Sequence, residues 1–164
     1  MIKRLASTTA LLLTLTTVVI VAGAHGAPAA PVGPCTDRSA ACLRSATDTY
    51  LDAVVSHDAR KVRLAPDVRR TENGTVTGKN ADEIRRALQP PGLIQLVLGK
   101  RAVRYTTDVD RQEVVAVYLL DTGFPPNIRL VTSYVMERFT IENGLITEIE
   151  AVITVLGANA ASPW

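Results

Sequence analysis

The sequence has 164 residues, of which 47% are hydrophobic, and a formal net charge of +2 at pH 7. This length suits one domain with one core. A charge so close to neutral argues against a nucleic-acid-binding protein, whose affinity would depend on a basic face, and no charge pattern indicates an anionic membrane as partner.

Residues 1–24 have the three-part layout of a secretory signal peptide. Lys3 and Arg4 form a basic start, residues 5–24 carry no charge, and Ala22-Gly23-Ala24 supplies the small residues of a cleavage site. The alternative is an uncleaved anchor, because about twenty apolar residues can cross a bilayer. We therefore expect an exported protein, secreted or held in the cell envelope, that meets the membrane only through this segment.

Residues 25–34 are rich in Gly, Ala and Pro and predict a flexible linker, followed by one domain over 35–157 and a tail over 158–164. Cys35 and Cys42 form an even pair in an oxidising compartment, which favours a disulfide. Two free thiols or a metal pair are the alternative, but zinc needs further ligands and the whole chain has two histidines. We expect no metal and no cofactor.

Two helices are indicated in the first half of the domain. Asp37 is a candidate N-cap for the first, and apolar or half-polar residues then recur at helical spacing: Leu43, Thr47, Tyr50, Val54 and His57. The second begins at Asn80, where Glu83 three residues later completes a capping box. Ser56-His57-Asp58 are consecutive at a helix end, so they cannot face one another as a catalytic triad.

The remaining chain predicts strands. A short strand over 67–72 precedes the Asn73-Gly74 turn, and extended stretches follow over 93–108, with a bend at Gly99, and over 113–121, 129–142 and 145–156. Asn73-Gly74-Thr75 is also an acceptor sequence for N-glycosylation in a eukaryotic host. Helices followed by a run of antiparallel strands predict an α+β fold with the helices on one face of a curved sheet.

The last hairpin, around Asn143-Gly144, has a register that charge can decide. A plain two-residue turn would place Glu137 opposite Glu150, and like charges across a strand pair are destabilising. A type I turn with a bulge at Gly144 slips the pairing by one residue. We therefore predict Glu137 and Ala151 on the inner face, with Glu150 outside and Arg138 opposite Glu148.

The order of these elements resembles the nuclear-transport-factor-2-like, or SnoaL-like, superfamily. Residues 137–146 are similar to its acid-x-Phe-x-x-x-Asp-Gly-x-Ile stretch. More narrowly, an exported branch carrying a domain of unknown function is similar at several short motifs: Tyr50-Leu51-Asp52-Ala53, Ser56-His57-Asp58, Leu64-Ala65-Pro66, Thr71-Glu72-Asn73-Gly74 and Ile146-Thr147-Glu148-Ile149-Glu150. The resemblance implies a cone-shaped curved antiparallel sheet with two or three helices on its concave face, around a deep and mostly apolar pocket.

Glu137 is the candidate catalytic acid or base. It is the only charged residue of the inner set of the hairpin, and burial of an isolated carboxylate should raise its pKa toward neutrality. The resemblance also implies a pocket acid here, whereas Ala151 stands where related cyclases carry a second acid. Tyr105 or Tyr118 would then have to serve as the second catalytic group.

Three further residues are candidate ligand-binding residues: Tyr50 on the first helix, Glu72 at the end of the short strand, and Phe139 beside the acid. Each has an ordinary structural alternative, because buried tyrosines are mostly core residues and Glu72 could occupy a solvated turn. Glu137 could likewise pair with an arginine and only close the pocket.

The superfamily includes isomerases, epoxide hydrolases, polyketide cyclases, dehydratases and binding modules, so the fold does not decide the function. We predict cofactor-independent acid–base chemistry on a small apolar ligand, as in an isomerase, cyclase or hydrolase. The alternative is a non-catalytic ligand-binding or protein-interaction module whose sheet forms a homodimer face. A cavity of roughly 300 Å³ or more that reaches an acidic side chain would favour the enzyme.

Overall fold

The computed structural model describes residues 37–126 and 128–164. The predicted signal peptide, the linker and Cys35 lie outside these residues, so cleavage, export and the disulfide to Cys42 stay predictions. Within the described part, no helix is long and apolar enough to cross a membrane. The same part contains no cluster of three or more metal-binding side chains.

The described residues form two α-helices and six strands. In chain order they are α1 (Ala40–Ser56), β1 (Leu64–Glu72), β2 (Thr75–Gly78), α2 (Ala81–Ala87), a 3₁₀ turn (Leu93–Leu96), β3 (Val97–Asp108), β4 (Glu113–Phe124), β5 (Ile128–Glu142) and β6 (Leu145–Leu156). The strands form one curved sheet in the order β2-β1-β6-β5-β4-β3. The predicted α+β class is confirmed.

One strand pair differs from the antiparallel sheet that we predicted. β1 lies beside β6 in parallel, with Leu64 opposite Ile146 and Glu72 opposite Ala151, whereas every other neighbouring pair is antiparallel. Tight hairpin turns impose antiparallel pairing only on consecutive strands. β1 and β6 are separated by the rest of the domain, so no turn fixes their relative direction.

α1 supplies the helical side of the core. Its N-cap is Ser39 rather than Asp37: the Ser39 hydroxyl accepts the Cys42 N–H at 3.2 Å, and the Asp37 carboxylate accepts the Ser39 N–H at 3.0 Å. The predicted stripe is buried from its first residue through Val54, and His57 ends the helix in the left-handed conformation, with φ of 59°. The stripe therefore packs onto the inner face of the sheet.

α2 begins as predicted. The Asn80 side chain accepts the Glu83 N–H at 2.9 Å, and Glu83 in turn accepts the Lys79 N–H at 2.9 Å. Its apolar residues Ala81 and Ile84 are buried against β1 and β2. Gly99 also lies at an irregularity of β3, as expected.

The predicted slip in the last hairpin is confirmed, with Glu137 opposite Ala151. Arg138 lies opposite Glu150 rather than Glu148, although its guanidinium reaches both carboxylates, at 2.7 and 2.9 Å. Glu148 and Glu150 therefore belong to the outer face, where they share the single positive charge of Arg138.

The position of the bulge was predicted wrongly. Asn143 and Gly144 both have positive φ, 51° and 72°, as a two-residue hairpin turn requires. The pairing shifts further along, where Ile141 is opposite Ile146 but Thr140 is opposite Glu148, which leaves Thr147 as the extra residue. As a result Ile146, and not Leu145, is fully buried beside Ile141.

Candidate functional site

A row of directly paired residues crosses the inner face of the sheet. Tyr105 lies opposite Ala116, which lies opposite Glu137; Glu137 lies opposite Ala151, and Ala151 opposite Glu72. Residues directly opposite in a sheet share a face, so five strands present this row toward the helices. Three of the predicted site residues, Tyr105, Glu137 and Glu72, therefore share one row, with the acid in its middle.

The Glu137 carboxyl is almost completely buried, with 4% of the residue exposed. Tyr118 lies on β4 two residues beyond Ala116, so it faces the same side of the sheet. Its hydroxyl donates a hydrogen bond to Glu137 Oε2 at 2.8 Å. Burial raises the pKa of Glu137 to about 7, although the Tyr118 hydrogen bond and the positive charge of Arg70 oppose this rise. Such a carboxyl group can both give and take a proton near neutral pH.

Arg70 is the residue of this site that sequence reasoning missed. It is 7% exposed, and its guanidinium donates to the Tyr50 hydroxyl at 3.3 Å and to the Thr77 hydroxyl at 3.0 Å. Its Nε also lies 3.4 Å from the Glu72 carboxylate. A signal was present, because alternation along β1 places Arg70 on the same face as Glu72.

The two predicted aromatic ligand-binding residues contact each other. The Tyr50 and Phe139 rings meet edge to face, with their centroids 5.2 Å apart, and both side chains are buried. They form the apolar floor beside the acid. Desolvation also raises the pKa of Tyr50, so its hydroxyl keeps its proton throughout the physiological range.

Tyr105 makes its contacts with α1. Its hydroxyl donates to the Asp48 carboxylate, and the Arg44 guanidinium lies 4.7 Å from its ring centroid. Burial and the Asp48 hydrogen bond raise the pKa of Tyr105. Of the two tyrosines predicted as the second catalytic group, the structure thus brings Tyr118, and not Tyr105, to Glu137.

Three clefts of about 520, 370 and 270 Å³ open on the described part of the molecule, and none of these three is lined by Glu137. Near the acid, the Glu72 side chain is 36% exposed, whereas that of Arg70 is 9% exposed. Glu72 is therefore a partly exposed neighbour of the buried acid.

A sequence model of the family described as "Domain of unknown function (DUF8021)" matches residues 36–153. The chain belongs to this family. The match spans all six strands of this DUF8021 domain up to Ile153 of β6. No curated protein matches the sequence significantly.

Solved structures with the same fold include three that illustrate its range. The epoxide hydrolase/cyclase-like enzyme SalBIII of salinomycin pyran-ring formation has a TM-score of 0.60 at 11% identity, covering 74% of this chain and 99% of that one. A protein of unknown function with a cystatin-like fold from Methylobium petroleophilum has a TM-score of 0.56 at 17% identity, and the match covers 76% of this chain and 83% of that one. A steroid delta-isomerase from Pseudomonas aeruginosa has a TM-score of 0.52 at 12% identity, and the match covers 68% of this chain and 79% of that one. At these identities the likeness establishes that the DUF8021 domain shares the fold of these three proteins.

Proposed function

We propose that this protein is exported and binds a small apolar molecule, on which Glu137 acts as a general acid or base. The observation that carries the proposal is the buried Glu137 carboxyl, whose pKa is raised to about 7 and whose Oε2 accepts the Tyr118 hydroxyl at 2.8 Å. An ionisable group is costly to keep in an apolar interior. A pKa near the working pH is the property that proton transfer requires.

The hydrogen bond from Tyr118 assigns the two carboxylate oxygens different tasks. Oε2 is held by that hydroxyl, so the second oxygen is left to take a proton from a bound ligand or return one to it. The Tyr118 pKa is raised well above its ordinary value by burial and by the negative charge of Glu137. Tyr118 therefore stays protonated and fixes the direction of the carboxyl group.

Tyr50 is the best placed donor to a carbonyl oxygen of the ligand. Its oxygen accepts a hydrogen bond from the buried Arg70, and no acceptor for its own proton lies within bonding distance among the described residues. The Arg70 charge strengthens this donor, because a hydroxyl polarised by a cation gives up its proton more readily to an acceptor. Proton removal beside a carbonyl group would thus use Glu137 as base and Tyr50 as the group that stabilises the developing oxyanion.

Two further facts support the proposal. Proteins named as an epoxide hydrolase/cyclase-like enzyme and as a steroid delta-isomerase have this fold, so its geometry accommodates chemistry on apolar cyclic molecules. Export is supported by the signal-peptide pattern of residues 1–24.

The experiment begins with native mass spectrometry of the protein purified from its own host, which identifies a retained ligand. Turnover of that ligand is then measured from pH 5 to 8 for the parent and for Glu137→Gln, which preserves shape and removes the titrating group. We expect the variant to lose at least a hundredfold in kcat. Glu142→Gln, an exposed acid on the same strand, is the matched control. Full activity of Glu137→Gln would show that this carboxyl group is structural.

A non-catalytic interaction module remains a second candidate because of one observation on the outer face. Met136 of β5 and Val152 of β6 lie opposite each other and are 42% and 50% exposed, so they form an apolar pair facing solvent. A second copy of the chain could cover such a pair. Analytical ultracentrifugation of the parent and of Val152→Lys distinguishes the cases: a dimer that the lysine dissociates supports the module, and an unchanged monomer argues against it.

A further inference from the structure

A charged cluster lies on the sheet face opposite Glu137. Asp121 of β4 is 4% exposed, and its carboxylate accepts the Arg101 Nε at 2.9 Å, lies 3.1 Å from the Arg129 Nη2 and accepts the Thr132 hydroxyl at 2.8 Å. Alternation along β4 from Ala116, which faces the helices, puts Asp121 on the outer face. Two guanidinium groups thus share one carboxylate, which leaves one positive charge unbalanced.

This cluster forms one side of the largest of the three clefts described above, which measures about 520 Å³. Among the described residues, the lining includes Leu98, Gly99, Lys100, Arg101, Asp121 and Arg129. Lys100 is neutralised by Asp52 of α1. The excess charge of the lining therefore comes from the two arginines, and Leu98 with Gly99 provides an apolar part.

One buried donor of the two arginines has no hydrogen-bond partner among the described residues. Arg101 Nη2 donates to the Ala160 carbonyl oxygen, and Arg129 Nη1 donates to the Asn159 side chain at 3.2 Å. Arg129 Nε is buried, and no hydrogen-bond partner for it exists among the described residues. A buried N–H of a charged group without an acceptor is costly. The Arg129 side chain as a whole is 36% exposed and lines the cleft, so the rest of its guanidinium is open to a ligand there.

We propose that this cleft binds the carboxylate of a small organic monoanion, with the Arg129 guanidinium as its main partner and the hydrocarbon part of the ligand lying over Leu98 and Gly99. Arginine presents parallel N–H donors that suit a planar carboxylate. A single unbalanced charge matches a monoanion more closely than a dianion such as hydrogen phosphate, whose second charge would stay unbalanced. The site is separate from Glu137, because the two lie on opposite faces of the sheet.

Isothermal titration calorimetry with sodium hexanoate tests the proposal, with hexanamide and inorganic phosphate as comparison ligands. We expect hexanoate to bind the parent protein at least tenfold more tightly than either comparison ligand. Arg129→Gln should weaken hexanoate binding at least tenfold. Arg111→Gln, which removes an exposed arginine paired with Asp108 outside the cleft, should leave it unchanged.

Gly99→Leu provides a test that does not alter charge. A Cβ added at Gly99 meets no atom within 4 Å, so a leucine there should fill the cleft without disturbing the fold, which circular dichroism checks. We expect this variant to lose hexanoate binding as well. Absence of binding to the parent, equal binding by Arg129→Gln or Gly99→Leu, or tighter binding of phosphate would each overturn the proposal. Glu137→Gln should bind hexanoate like the parent, which separates this site from the proposed active site.

Discussion

The free energy of unfolding should depend on pH through Glu137 in a way that Glu137→Gln abolishes. Burial raises the pKa of this carboxyl group from its ordinary value of 4.5 to about 7. The folded state therefore holds its proton up to a higher pH than the unfolded state does. The contribution of this group to the free energy of unfolding is fully present below about pH 4.5 and is lost as the pH rises through 7.

The magnitude follows from the same shift. Each pKa unit corresponds to about 1.4 kcal/mol, so the ionised carboxylate costs the fold about 3 kcal/mol above pH 7. Glutamine in its place is neutral at every pH and still accepts the Tyr118 hydroxyl. The free energy of unfolding of the variant relative to the parent should therefore rise by about 2.5 kcal/mol from pH 5 to pH 8, because part of the penalty is already present at pH 5.

Urea denaturation followed by circular dichroism at pH 5 and pH 8 measures this difference. All other titrating groups are common to both proteins, so their contributions cancel when the two pH dependences are subtracted. Glu142→Gln, exposed on the same strand, should show no such gain. A parent-to-variant difference that stays constant within about 1 kcal/mol across this range would refute the reasoning, because it would mean that the buried carboxyl has an ordinary pKa.

Three other substitutions test the surrounding scaffold. Tyr118→Phe removes the hydroxyl that lowers the pKa of its carboxyl partner, so urea denaturation should show about 1–2 kcal/mol more destabilisation at pH 8 than at pH 5. The Asn73 side chain accepts the Ile153 N–H at 2.8 Å and donates to the Ile153 carbonyl oxygen at 3.1 Å. Asn73→Gly keeps the positive φ but removes both hydrogen bonds, so it should lower the free energy of unfolding by about 1–2 kcal/mol in thermal unfolding. Gly78→Ala would place a Cβ 2.4 Å from the buried Ile84 Cγ1, so it should cost about 1–3 kcal/mol by the same measurement, and an unchanged Tm would contradict the packing described.

The hairpin shows how far local pattern determines structure. Repulsion between like charges predicted the slipped register, but the bulge lies at Thr147 because the Asn143-Gly144 pair already forms a two-residue turn. Charge pattern decides which residues face each other, whereas turn chemistry decides where the extra residue goes. The facing residues could therefore be predicted from the sequence without knowing the position of the extra residue.

The candidate site depends on contacts that no local pattern encodes. Glu137 was predicted from its own hairpin, but the charge that opposes its raised pKa belongs to Arg70, which reaches the site only because β1 pairs with β6. From the sequence alone, Tyr105 and Tyr118 were equally good candidates for the second catalytic group. The position of α1 separates them, because Asp48 on that helix binds the Tyr105 hydroxyl.

The parallel pairing of β1 with β6 also determines when the site can be assembled. β1 and β2 reach the remaining strands only through β6, so this early hairpin has no neighbour in the sheet until the last strand has been made. The surroundings of Glu137, which combine Arg70 with Tyr118, cannot be complete before then. Translocation by the proposed export route would deliver the N-terminal strands first and leave them unsatisfied until β6 arrives, so the chain can stay unfolded during its passage and close its sheet on the far side of the membrane.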